Sequence, residues 1–422
     1  MDNLTHSLVG VLVGDTLAET TPETRDGLPR EQRRNLFVSL MVAGSNLPDL
    51  DFLQSAIRGD KIDYLLQHRG HTHTVVGALI MAALMLLASE AWCRWRRWTL
   101  SRTDRLQVAG LCTLALLLHV AMDFTNNYGV HPFWPFYNGW LYGDSIFIWE
   151  PLLWTAAAPL VFTLRTRTAR TLVAALIATA VAVCIGSGLV PVVFVVVLIA
   201  LVLGMLLIGY KAPRRIALIA GVAAWLSITA SFAVSRGIAD HRIEQFVAHQ
   251  FPQLNTLERA LTPNPANPVC WDVMLALTDA DRYLVRHGTW SLAPSLMPAD
   301  QCPGRGLFKD ITAPVTPTAE ANTAFVFWHG EIVMPRRQLG QLAATHCQAA
   351  AFLKFARVPW TLERSGTWIV GDLRYDREPE LGFAEIELKP GTAACPERLP
   401  PWIAPRNDLL NLDGSTQDST GE

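Results

Sequence analysis

Three histidines fall within six residues in the stretch HRGHTHT at 68–74, directly before a long apolar run. Imidazoles at the mouth of a hydrophobic helix cost free energy unless something binds them, so the polar residues around them decide their meaning. Four segments contribute. His6 stands near the start of an apolar stretch at 4–18, and Asp49 and Asp51 follow a second, at 35–47, in LPDLD. His68, His71 and His73 precede a third stretch, and His119 and Asp123 close a fourth in LLLHVAMDF.

Each spacing carries a physical reading. His119 and Asp123 are four apart and share one face of a helix. Asp49 and Asp51 are close enough to repel unless a cation lies between them. Imidazole with carboxylate suits zinc, manganese or iron, and an open position on such a metal lowers the pKa of bound water toward neutrality. The residues of these four segments, His6, Asp49, Asp51, His68, His71, His73, His119 and Asp123, are candidate ligands or ligand-orienters. Asp49 or Asp51 would also help deprotonate the water, and Arg69 would clamp an anionic group such as phosphate. Taken singly, each residue has a plainer reading: a helix cap, a first-turn carboxylate, an interfacial histidine. Their gathering at one level from four segments favours metal binding.

The elements that must position them are apolar. Half of the 422 residues are hydrophobic and only 17% are charged, which marks a membrane protein. A net charge of −2 excludes an electrostatic nucleic-acid binder. The N-terminus MDNLTHSLVG lacks a basic n-region, so no removable signal peptide is expected. Spans are expected at 74–92, 106–122, 146–164, 171–189, 191–210 and 214–234, with two shorter ones at 4–18 and 35–47. The basic clusters at 25–34, 94–105, 165–170 and 211–215 alternate with loops whose only Lys or Arg residues are Arg58, Lys61 and Arg69. The positive-inside rule puts the clusters in the cytoplasm, and with them fixes the His and Asp residues on the outer side.

The expected fold is therefore mainly α, a polytopic bundle of about eight helices with a C-terminal soluble α+β or β-rich domain. Its parts are a metal-site membrane domain at 1–165, further transmembrane helices at 166–236, an extracytoplasmic domain at 241–410 and a disordered tail at 411–422. Strand signals occur at 323–334, 366–375 and 382–388, and 241–261 reads as partly helical. Cys270, Cys302, Cys347 and Cys395 allow three disulfide pairings, all open at this point. The tail histidines at 241, 249, 287, 329 and 346 show no ligand spacing.

THSLVG, LPDLD, HRGHTHT and the long HVAMDFTNNYGVHPFWPFYNGWLYGDSIFIWEPLLW together resemble the membrane-bound metal-dependent hydrolase family typified by YdjM- and YfhP-type proteins, over roughly residues 1–160. The ordered His/Asp pattern is more distantly similar to zinc-dependent phospholipase C. The resemblance implies seven metal ligands, His6, Asp49, Asp51, His68, His73, His119 and Asp123. It leaves His71 at a variable position, and puts Glu150 where relatives often carry Asp. The aromatic loop at 124–149 reads as a lid over the site or as an interfacial belt, and its His131 and Asp144 as ligands of a second metal or as ordinary loop residues. The functional expectation is a zinc-dependent hydrolase of the inner membrane, cleaving a phosphoester or related ester of an amphiphilic substrate drawn from membrane lipids. A metal-handling transporter and a scaffold with a structural metal are the alternatives.

Overall fold

The computed structural model describes residues 1–22, 27–53, 61–303, 311–388, 395–396 and 399–410. Helix α1 (Asn3–Thr20) starts where the Asp2 carboxylate accepts the N–H groups of Leu4 and Thr5. It packs along α2 (Arg30–Gly44). A 3-10 turn at Pro48–Asp51, helix α3 (Lys61–Gln67) and a second 3-10 turn at His71–His73 lead into α4 (Val75–Trp95). Helix α5 (Arg102–Phe124) opens with a capping box, in which Ser101 and Asp104 satisfy each other's backbone N–H.

The stretch at 146–164 departs from expectation. Instead of one continuous span it forms two short helices, α6 (Pro151–Thr155) and α7 (Leu160–Thr163), joined by turns. Pro159 interrupts the ladder and the segment survives because it is wrapped in protein rather than lipid; Leu152 to Ala158 and Leu160 are all buried. Helices α8 (Arg167–Gly186), α9 (Val192–Lys211) and α10 (Arg214–Gln250) complete the bundle. Among the described residues, five helices are long and apolar enough to cross a membrane: α4, α5, α8, α9 and α10.

Helix α10 runs through the stretch near 235–241 where the domain boundary is expected. Its 37 residues run unbroken past the apolar stretch to Gln250, and the soluble fold begins only at Asn255. There β1 (Asn255–Asn264), β2 (Asn267–Thr278), β3 (Arg282–Ser291) and β4 (Val326–Pro335) form an antiparallel sheet in sequence order. Helices α11 (Gln338–Thr345) and α12 (Cys347–Phe352) connect it to a second sheet of β5 (Pro359–Arg364), β6 (Thr367–Asp372) and β7 (Glu385–Leu388). Disulfides join Cys270 to Cys302 and Cys347 to Cys395, while Cys93, Cys112 and Cys184 are free and buried. The expected tail at 411–422 lies outside the described residues.

The two halves share a core. One face of the four-stranded sheet, with Trp271, Leu275 and Trp328, packs on Ile243 and Val247 of α10. The other joins Leu65 of α3 and Tyr128 and Trp140 of the loop after α5. The soluble domain thus sits at the end of the bundle that carries the His/Asp turns. At the opposite end Asp15 and Glu19 pair with Arg34 and Arg214, among the basic clusters.

Candidate metal centre

Two tight turns deliver the ligands. Thr74 caps α4 by accepting the Gly77 N–H at 2.8 Å, and its hydroxyl donates to the His71 carbonyl at 2.9 Å. A Cβ at Gly77 would collide with that carbonyl, so glycine is what lets the HTH turn fold back onto the helix start. Arg69 holds a left-handed φ of 60°, uncommon without a glycine, and its N–H donates to Asp51 at 3.0 Å. That bond ties the LPDLD turn to the HRGHTHT turn.

Four side chains then converge: Asp49, His73, His119 and Asp123. His73 Nε2 lies 3.0 Å from His119 Nε2, 3.3 Å from Asp49 Oδ1 and 3.1 Å from Asp123 Oδ2. His119 Nε2 lies 3.5 Å from Asp49 Oδ1 and 3.4 Å from Asp123 Oδ2. A tetrahedron of edge about 3.3 Å has its centre about 2.0 Å from each corner, the length of a zinc–nitrogen or zinc–oxygen bond. Asp123 Oδ2 is buried without a hydrogen-bond partner, as an atom aimed at a cation would be. On geometry and donor chemistry alike, these residues fit a divalent metal.

The surrounding bonds point the donors inward. His119 Nδ1–H donates to the Ser45 carbonyl at 2.7 Å, leaving the Nε2 lone pair for the centre. His73 Nδ1 faces Asp51 Oδ2 at 3.4 Å and Thr72 Oγ1 at 3.0 Å. Asp51 also meets His68 Nδ1 at 2.9 Å and accepts the Thr72 hydroxyl at 2.8 Å. Burial alone would raise the Asp51 carboxyl, but its bonds to His68 and His73 outweigh that and hold it below the usual carboxylate range. Asn3 donates to Asp49 Oδ2 at 3.0 Å. Asp123 Oδ1 gathers His6 Nε2 at 3.2 Å, Arg69 at 3.0 Å and the Met1 amino group. His6 also stacks on His119, ring centres 4.0 Å apart.

Of the seven expected ligands, four therefore meet at one point. His6, Asp51 and His68 stand one layer out and orient the others. Sequence reasoning passed over Asn3, Thr72 and the Ser45 carbonyl, because such roles depend on contacts between turns and leave no spacing to read. Arg69 lies against Asp123 and donates to Asn126 at 2.8 Å, with its Nε buried and unpartnered. His71 packs between Trp134 and Trp402, away from the centre.

The loop at 124–149 is chiefly a docking surface for the soluble domain. His131 stacks on Trp402 at 3.8 Å between centroids, and the Trp140 indole donates to the Lys354 carbonyl at 2.8 Å. Asp144 binds Arg357 through both oxygens, at 2.7 and 2.8 Å. Among the described residues, neither His131 nor Asp144 joins a second group of metal-type donors. Glu150 caps α6 and accepts the Ala266 N–H from the β1–β2 turn at 3.1 Å, also apart from the centre.

Beside the centre lies a cavity of about 390 Å³ between the two halves. His68, Arg69 and Tyr128 line it from the membrane side, and Thr262, Arg374, Tyr375, Arg377 and Phe383 from the soluble domain. Aromatic walls with guanidinium groups suit an amphiphile with an anionic group.

Fold and site together define a multi-pass membrane protein with a His/Asp candidate metal centre at one end of its bundle. The family described as YdjM inner membrane protein matches residues 1–192. The chain is also 28% identical over 159 residues to the uncharacterized protein YfhP of Bacillus subtilis (strain 168), which covers 36% of this chain and 43% of the relative. It thus spans less than half of that relative's length. Residues 1–192 are thus similar to the YdjM family, and part of that stretch to YfhP. No solved structure matches.

Proposed function

We propose that this protein is a metal-dependent hydrolase acting on a phosphoester or related ester of an amphiphilic substrate at the outer face of the inner membrane. The observation that carries the reading is the adjacency of the four-donor centre to a cavity floored by His68 and Arg69. A divalent ion held there, zinc by preference and manganese or iron as alternatives, supplies Lewis-acid polarisation and a lowered pKa for water. Asp49 is the carboxylate at hand to accept a proton, while Asp51 holds the imidazoles of His68 and His73 in place. Arg69, its guanidinium pinned by Asp123 and Asn126, is set to hold an anionic group in the cavity. The outer location is supported by the basic clusters at the far end of the bundle and by two disulfides in the soluble domain.

A second reading, a metal staple without catalysis, is favoured by one observation: four protein donors meet there, the number a structural zinc site uses. Purified protein loaded with cobalt separates the two. A hydrolase turns over phosphodiester or carboxyester amphiphiles and changes its visible spectrum when an anionic product binds. A staple does neither. Metal content that is unaltered in a His73→Ala/His119→Ala variant would remove the basis of both.

A further inference from the structure

The soluble domain carries a second gathering of metal-type donors, unconnected in sequence. Asp272 on β2, His287 on β3 and His329 on β4 each offer a ligand atom, all within 4.8 Å of one another. His287 Nε2 lies 2.7 Å from Asp272 Oδ1, and the His287 and His329 rings are 4.7 Å apart. The Thr289 hydroxyl lies 2.7 Å from His329 Nε2.

The sheet is built to bring them onto one face. Asp272 pairs with Thr289 across β2 and β3, and Met274 pairs with His287, so all four point the same way. Regular alternation on β4 would not add His329. A β-bulge does: His287 pairs with Gly330 and Gly288 with Trp328, leaving His329 as the extra residue. Bulges re-aim a side chain in this manner and recur beside functional sites. Gly330 adopts a φ of 156°, and a Cβ there would collide with Val315, so the bulge depends on glycine. Further along the same face Met274, Ala276 and Val285 belong to the hydrophobic core. Arg377 faces Asp272 as well, and Thr262, opposite Asp272 on β1, lines the interdomain cavity.

We infer that Asp272, His287 and His329 form a second divalent-metal site, of the zinc or iron class, in the soluble domain. Two imidazoles and one carboxylate match the donor preference of those ions. Three protein donors leave coordination open. Binding exchanges the His287–Asp272 hydrogen bond for metal bonds, and with the Thr289 hydroxyl on Nε2 the His329 ring would offer Nδ1 to the ion.

The test uses the full chain in detergent, stripped with chelator and titrated with zinc alone. In a His73→Ala/His119→Ala background, which disables the other centre, one zinc per chain is expected to remain. Adding Asp272→Asn or His287→Ala should abolish it. Thr289→Val, which keeps all three donors, should weaken zinc binding on the order of 10- to 100-fold. Absence of zinc from the background variant with both disulfides intact would overturn the site. So would binding unchanged by Asp272→Asn. Should the ligand variants fail to fold, Thr289→Val decides: weakened binding supports the site and unchanged binding overturns it. Because the background lacks the membrane ligands, the result stands apart from the hydrolase reading.

Discussion

The Nε2 atoms of His73 and His119 lie 3.0 Å apart, each turned from its own backbone by a bond on the opposite ring nitrogen. With Nδ1 bonded outward, each neutral ring turns an Nε2 lone pair inward, and two buried lone pairs at that distance repel. A cation between them resolves the conflict. Substituting either histidine by alanine should cost the membrane centre its metal, read as one equivalent fewer per chain by elemental analysis. Retained stoichiometry in both variants would refute the centre.

Asp51 touches none of the four donors' shared centre, but it holds His73, His68, Thr72 and the Arg69 N–H. Asp51→Asn should leave the ligand count intact and weaken metal affinity about 10- to 100-fold. A chelator competition titration measures this, and an affinity equal to wild type would assign Asp51 to packing alone.

Arg357 and Asp144 form a buried bidentate pair between the soluble domain and the loop after α5. Arg357→Ala strands the Asp144 carboxylate and should destabilise the protein by about 3–5 kcal/mol. Thermal unfolding in detergent reads the loss. The double variant Arg357→Met/Asp144→Leu should recover much of it.

Burial between Trp140 and Trp402 pushes the His131 pKa from its ordinary 6.5 down to about 3. As pH falls below 6.5 the unfolded chain takes up a proton that the folded chain refuses, so stability drops progressively toward pH 3. His131→Phe keeps the stack and removes this term. In chelator-treated protein, the fall in melting temperature between pH 7 and pH 5 should be smaller in the variant.

With two disulfides and three free buried thiols, denatured protein should alkylate at three cysteines without reductant and at all seven with it. Mass spectrometry of membrane-extracted protein counts them. Seven labels without reductant would put the soluble domain in a reducing compartment.

The membrane half was legible because lipid imposes long apolar runs, and the His and Asp residues interrupt them at helix ends. The division of labour among those residues was not. Asp49 and Asp51 look alike in LPDLD, and only the turn geometry sends one to the centre and the other behind His73. The segment at 146–164 looked like a span because hydropathy does not register that its surroundings are protein. In the soluble domain β4, β6 and β7 alternate and were readable, whereas β2 is buried on both faces and shows no period of two. Asp272, His287 and His329 are 15 and 42 residues apart, and strand register with one bulge unites them.

The unbroken length of α10 has a mechanical result. At about 1.5 Å per residue, 37 residues make a rod of roughly 55 Å, nearly twice the hydrocarbon thickness. The domain rides on a mast instead of a hinge, clamped again at its base by Arg357 and Trp402. Swinging it aside would mean bending the mast and breaking both clamps, so the walls of the interdomain cavity are held at a fixed separation.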